Sequence, residues 1–176
     1  GANAFTVSGV IGGAYKVTKV GTGATTFSGT NTYTGITTIS NGILSVNSDS
    51  ALGAVPSLTA NAITLNGGAL QAAATFTLNT NRGITLTAHS GLAADASTAL
   101  TYGGVITGGY NLTINGNSQT GTVTLSGTNT YTGITTISNG ILSVNSDSAL
   151  GAVPSLTANA ITLNGGALQA AATFTL

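Results

Sequence analysis

The 176-residue chain contains no cysteine, methionine or tryptophan, and only three Lys or Arg and three Asp or Glu. Without cysteine there is no disulfide framework, and the compartment cannot be read from thiol usage. With a formal net charge of zero and no basic patch, the chain lacks the electrostatic drive for nucleic-acid binding. No apolar run approaches the roughly 18 residues of a membrane helix. A transmembrane barrel would call for alternating strands of about 9–11 residues and aromatic girdles, whereas aromatics here are 5%. Charge-driven disorder is excluded as well, because 41% of the residues are hydrophobic and follow strand-like patterns.

The same scarcity leaves little chemistry. His89 is the single histidine, with Asp95 six residues on and Ser90 adjacent. Adjacency along a strand does not give the mutual reach of nucleophile, base and acid, and His89 reads as a turn residue. Asp49 and Asp147 each stand alone in Asn-Ser-Asp-Ser, where a side chain capping its own turn is the plain reading. Calcium needs 6–8 oxygen ligands, and the Gly-Gly-x-Gly-x-Asp pattern of calcium-binding rolls is absent. The expectation is a non-enzyme with no catalytic, cofactor-binding or metal-ligating residues and no cofactor. A carbohydrate-active β-helix would need an acidic cluster assembled across coils.

What the chain does have is repetition. Residues 28–78 recur unchanged as residues 126–176, so Ser28 maps to Ser126, Tyr33 to Tyr131 and Leu78 to Leu176. Residues 1–27 read as the diverged end of a preceding unit, 28–125 as a full unit and 126–176 as a partial second one, together a single solenoid segment. The stretch reads as a segment of a longer polypeptide or a processed piece of one. Turn signals recur inside the unit at Asn41-Gly42, Asn66-Gly67, Ser90-Gly91, Asn115-Gly116, Asn139-Gly140 and Asn164-Gly165. Their glycines fall 25, 24, 25, 24 and 25 residues apart. Short β-prone runs such as Gly35–Ile39 and Ile43–Val46 flank them. Thr, present 33 times, suits strands with one face in water.

Asn-Gly between strands first suggests antiparallel hairpins, hence a meander or sandwich. The regular period favours stacked coils of three short strands and three turns, each pairing in parallel with the coil before it. The predicted fold is all-β: a right-handed parallel β-helix with coils of about 24 residues, the hand following the preference of parallel crossovers. Roughly seven coils at ~4.8 Å would make a rod of about 34 Å. The turn pairs Asn41-Gly42, Asn66-Gly67, Asn115-Gly116, Asn139-Gly140 and Asn164-Gly165 are expected to stack as one structural ladder, with side-chain amides in line. Tyr33 and Tyr131 are candidates for stacking on sugar rings, the plainer reading being packing over the loop that closes a coil. Thr-x-Thr pairs invite an ice-binding reading, but they do not occur on every coil.

The opening phrase of the unit carries a resemblance. Leu125-Ser126-Gly127-Thr128-Asn129-Thr130-Tyr131-Thr132-Gly133-Ile134-Thr135-Thr136-Ile137, and its counterpart from Phe27 to Ile39, resembles the passenger-associated transport repeat of bacterial autotransporters. Asn41-Gly42-Ile43-Leu44 and Ala51-Leu52-Gly53 continue the family pattern, and both recur in the second copy. The resemblance implies a large exported bacterial protein with a parallel β-helical passenger, extracellular or on the cell surface.

The expected function is an extracellular structural rod that assembles with itself into a filament, sheath or matrix. Neutral sides repel weakly, and no charge or proline near Leu176 blocks a strand edge. The alternatives are a monomeric stalk or adhesin presenting a distal binding domain, and a carbohydrate-binding or carbohydrate-active β-helix. The expected partners are other copies of the chain and surface glycans, with no nucleic acid and no membrane insertion by this segment.

Overall fold

The computed structural model describes residues 4–152 and 160–173; Leu176 lies outside them. Strands are three to seven residues long, as β-branched runs between Gly and Asn turns require. The chain begins with β1 (Phe5–Val7), β2 (Val17–Lys19), β3 (Ala24–Phe27), β4 (Thr37–Ile39), β5 (Ile43–Val46), β6 (Thr59–Leu65) and β7 (Ala69–Ala72). It continues through β8 (Phe76–Leu78), β9 (Arg82–Leu86), β10 (Ser90–Ala94), β11 (Ala99–Tyr102), β12 (Ile106–Gly108), β13 (Leu112–Ile114) and β14 (Thr122–Leu125). It closes with β15 (Thr135–Ile137), β16 (Ile141–Val144), β17 (Ile161–Leu163) and β18 (Ala167–Ala170). Short 3-10 turns occupy Asp49–Leu52 and Asp147–Leu150.

Every strand pairing among the described residues is parallel, which excludes the hairpin alternative. The strands form three sheets. The first has eight strands in the order β1-β3-β5-β7-β10-β13-β15-β17. The second runs β12-β9-β6-β4-β2 and the third β18-β16-β14-β11-β8. This is a β-solenoid of about seven coils.

Alternation along each strand sends one set of side chains inward. In the first sheet Leu44, Leu70, Leu92, Ile114 and Ile137 stack coil on coil, all buried. Ile63, Ile84 and Ile106 do so in the second sheet, and Leu100, Val123 and Leu142 in the third. Burial of each such side chain contributes roughly 1.5–3 kcal/mol. No coil encloses a core alone, so the stabilisation arises between neighbours.

Coil length departs from the expected 24 residues. Along the first sheet, Thr25 pairs with Leu44, Leu44 with Leu70, Leu70 with Leu92, Leu92 with Ile114 and Ile114 with Ile137. The steps are 19, 26, 22, 22 and 23 residues, an average of about 22. The consequence is geometric. β4 lies in the second sheet, but its identical copy β15 lies in the first; β5 lies in the first, and its copy β16 in the third. The outward position of Ile43 is followed along the first sheet by Ala69, Gly91, Thr113 and Thr136. Since Thr38 precedes Ile43 by one face, the 98 residues from Thr38 to Thr136 make four coils plus one face.

The turns therefore do not form one ladder. Asn41-Gly42 and Asn66-Gly67 lie at the corner from second to first sheet. Asn115-Gly116, Asn139-Gly140 and Asn164-Gly165 lie at the corner from first to third, and Ser90-Gly91 begins β10. A shift of corner between Gly91 and Gly116 had lengthened the apparent period.

Candidate functional site

The transport-repeat motif runs without strand across one face, over Ser28–Gly35 in the first copy and Ser126–Gly133 in the second. Asn31 and Asn129 are buried in it. The Asn31 Oδ1 accepts the Ile11 N–H at 2.8 Å from the coil below, and its Nδ2 donates to the Ala51 carbonyl at 2.6 Å above. Asn129 does the same between Ile106 and Ala149, at 2.8 and 2.6 Å. A face without a strand leaves backbone groups unpaired, and one amide supplies both a donor and an acceptor to its neighbours. The backbone N–H groups of Thr32 and Tyr33 both donate to the Ile11 carbonyl, as those of Thr130 and Tyr131 donate to Ile106.

Tyr33 and Tyr131 are 1% and 0% exposed, so the sugar-stacking expectation does not hold: neither ring face reaches solvent. Each hydroxyl instead pairs with a Thr Oγ1 at 2.7 Å, Thr37 and Thr135 respectively. Burial pushes both phenols up, Tyr131 to about 12. Gly53 and Gly151 lie close against these rings at φ +81° and +101°, a conformation and a spacing that only glycine meets.

Two of the three cations are also inside. Arg82 is 3% exposed. Its Nε donates to Asp49 Oδ1 at 2.8 Å, and its other nitrogens donate to the carbonyls of Leu52 at 2.9 Å and Gly53 at 2.7 Å. The guanidinium thus fastens the 3-10 turn to the next coil. Lys19 donates to the carbonyls of Val20, Gly21 and Asn41 at 2.8, 2.8 and 3.1 Å, and burial lowers its pKa. One unit later, the Asn115 Nδ2 donates to the carbonyl of Asn139, the copy of Asn41, at 3.2 Å. Asn139 returns its own Nδ2 to the Asn115 carbonyl at 3.0 Å. Asn41 Oδ1 accepts the Gly42 N–H, Asn66 Oδ1 accepts the Thr87 hydroxyl, and Asn164 is exposed. The turn asparagines thus bond backbone and hydroxyl groups, each in its own way.

An open groove of about 430 Å³ lies across the outside of the first sheet. Its floor follows from the outward row Ile43, Ala69, Gly91 and Thr113, where two small residues sit between larger ones. Asn41, Gly67 and His89 line one side, and Gly116 and Asn117 the other. The second wall is a long corner: β13 ends at Ile114 and β14 begins at Thr122, whereas the same corner on the next coil spans only Ser138–Gly140. Asn115 and Ser118 take positive φ within it. Gln119 donates to Gln71 Oε1 at 3.0 Å, and Gln71 donates to Asp95 Oδ1 at 2.6 Å, which holds the corner down over Ala93. His89 Nδ1 accepts the Asn111 N–H at 3.0 Å, which makes Nε2 the donor of the neutral ring. Its ring meets Tyr110 edge-on at 5.7 Å.

His89 and Asp95 both border this region, but they belong to separate contacts and form no catalytic pair. No group of three or more His, Cys, Asp or Glu is placed to hold a metal among the described residues. The groove was not legible in the sequence: its lining comes from five coils, and the turn signals that border it say nothing of which outward residues fall side by side.

The sequence profile of the passenger-associated-transport-repeat family matches residues 17–46 and 118–144. These are the segments that lead through the strandless face into the following strand. Over 103 residues, 58% of this chain, the sequence is 38% identical to the adhesin BmaC autotransporter of Brucella suis biovar 1 (strain 1330), of which the match covers 3%. No solved structure matches the chain. The chain thus carries two copies of the passenger-associated transport repeat, each built into the stack by the same bonds, and is similar in these segments to the passengers of bacterial autotransporters, which are extracellular or cell-surface proteins.

Proposed function

We propose that this chain is a stretch of the shaft of an exported bacterial adhesin, a non-catalytic rod that sets distance and rigidity. The observation that carries this is the way the motif seats itself. Asn31 and Asn129 each join the coil below to the coil above through backbone atoms alone, Ile11 and Ala51 in the first copy and Ile106 and Ala149 in the second. A coil element that needs only backbone partners can be stacked repeatedly, whatever lies beneath it. Small-angle scattering on the purified chain tests the rod: a cross-section of constant radius is expected, and a spherical particle would refute it.

Side-by-side association of such rods is the finer reading. Lys19 and Arg82 are buried, so the surface is even poorer in charge than the sequence suggests. Outward Thr rows such as Thr64, Thr85 and Thr107 offer hydroxyls between rods. Weak repulsion and many neutral donors favour lateral contact. Sedimentation decides it: reversible larger species at high protein concentration are expected, and one monomeric species at low and high salt leaves the shaft a spacer.

A further inference from the structure

We propose that the groove on the first sheet binds a neutral oligosaccharide. The idea rests on the surface-adhesin reading and adds a ligand class to it.

Shape is the first argument. The groove crosses the strands, so it runs along the rod over five consecutive coils, from Thr22 to Asn117. Four strand spacings make it roughly 19 Å long. Its volume falls within the usual range of binding clefts, about 300–1,000 Å³. A trench of this length suits a linear chain lying along the axis.

Chemistry is the second. No Asp, Glu, Lys or Arg lines the groove. Anionic ligands, phosphate included, would find no counter-charge. The lining instead offers Asn41, His89 and Asn117 on the walls and Thr113 at one end of the floor, polar side chains matched to hydroxyl groups. The floor at Ala69 and Gly91 is small and aliphatic, the surface that the C–H face of a pyranose covers. Addition of a peptide strand is disfavoured: β7, β10 and β13 are already paired on both sides, so no sheet edge is open in the groove.

Uniqueness is the third. His89, Gly91 and Asn117 lie between the identical stretches, in residues 79–125. The groove is therefore a feature of the full unit and does not recur with the transport-repeat motif. The wall is also braced: Gln119, Gln71 and Asp95 form a hydrogen-bonded chain across three successive coils. A corner held in this way presents a preformed trench and loses little entropy on binding.

The test is saturation-transfer NMR and calorimetry on the whole chain with neutral gluco-, manno- and chito-oligosaccharides long enough to fill the trench. An oligogalacturonate serves as the charged control. Millimolar or tighter binding of a neutral oligomer, with no binding of the acidic one, is expected. Ala69→Leu, which fills the floor, should weaken it by roughly tenfold or more. Thr101→Ala on the third sheet should leave it unchanged. Should Ala69→Leu disturb folding, the exposed pair His89→Ala with Asn117→Ala replaces it, with the same loss expected. The proposal is overturned if no neutral oligomer binds, if the acidic control binds equally, or if binding survives the groove variants. It is also overturned if Ala69→Leu abolishes self-association of the chain, which would make a second copy the occupant. A chain that scatters as a rod yet binds no sugar removes the groove proposal alone and leaves the shaft reading standing.

Discussion

Thr38 and Thr136 hold the same place in identical sequence, yet they stand on different faces of the solenoid. Thr38 pairs with Thr64 in the second sheet, and Thr136 pairs with Thr113 in the first. Each unit thus advances by one face of three, and a feature repeated every 98 residues is presented in a new direction with each copy.

Coil length can be checked by cysteine pairing, since the chain has no cysteine of its own. Thr85 and Thr107 are register partners with hydroxyls 3.2 Å apart. The double variant Thr85→Cys with Thr107→Cys should form a disulfide on mild oxidation, as neighbouring Cα atoms fall within the bridgeable ~4.4–6.8 Å. Thr85→Cys with Gly109→Cys, the pairing that a 24-residue coil would favour, should remain reduced. The reverse result in a gel-shift assay would refute the 22-residue step.

Asn31→Ala should destabilise the chain by about 2–3 kcal/mol. It leaves the Ile11 N–H and the Ala51 carbonyl unpaired in a buried place, which costs more than the bonds themselves contribute. Asn129→Ala should do the same. Urea unfolding measures both, and a midpoint unchanged from the parent would show the amides to be dispensable.

Arg82→Ala should cost about 3 kcal/mol or more, because it strands Asp49 and the carbonyls of Leu52 and Gly53. Arg82→Lys should recover little of this, since an ammonium cannot reach all these acceptors from one point. Thermal melts of the three proteins give the order; equal stability of the Lys variant and the parent would contradict the clamp.

Alkaline unfolding should begin above pH 10. Tyr33, Tyr102 and Tyr131 are buried, and burial raises all three phenols, Tyr131 to about 12. A folded-state pKa above the unfolded 10.0 means that the native state holds its protons longer. That contribution is complete below pH 10 and is lost as pH rises toward 12, up to about 3 kcal/mol for Tyr131. Phenolate absorbance should therefore rise together with loss of the β-sheet circular dichroism. Ionisation of all five tyrosines near pH 10 without unfolding would refute it.

Much of the stack is legible along the chain. Short Thr- and Ile-rich runs between Gly turns, a perfect internal duplication and the Ser-Gly-Thr-Asn-Thr-Tyr phrase point to a parallel solenoid before any coordinate is known. Inward alternation then fixes which residues meet, so Leu44, Leu70 and Leu92 could be placed inside from pattern alone. Arg82 was not legible as a clamp: its partners Asp49, Leu52 and Gly53 lie about thirty residues earlier and become neighbours only through stacking.

The sequence by itself determined that this chain stacks, because its period, its strand-forming residues and its lack of charge admit few other folds. Tertiary structure decided how the coils turn. Parallel register is set by which apolar side chains face the interior together, and corners stretch or shorten to allow it. Asn115–Gly121 spans the corner that Ser138–Gly140 later crosses in three residues, so the spacing of turns is not the length of a coil. For the same reason Tyr33, an aromatic that could have met a ligand, is sealed under Gly53 of the next coil. The groove was drawn by Ala69 and Gly91 falling side by side on neighbouring strands, a contact between residues 22 apart that only pairing creates.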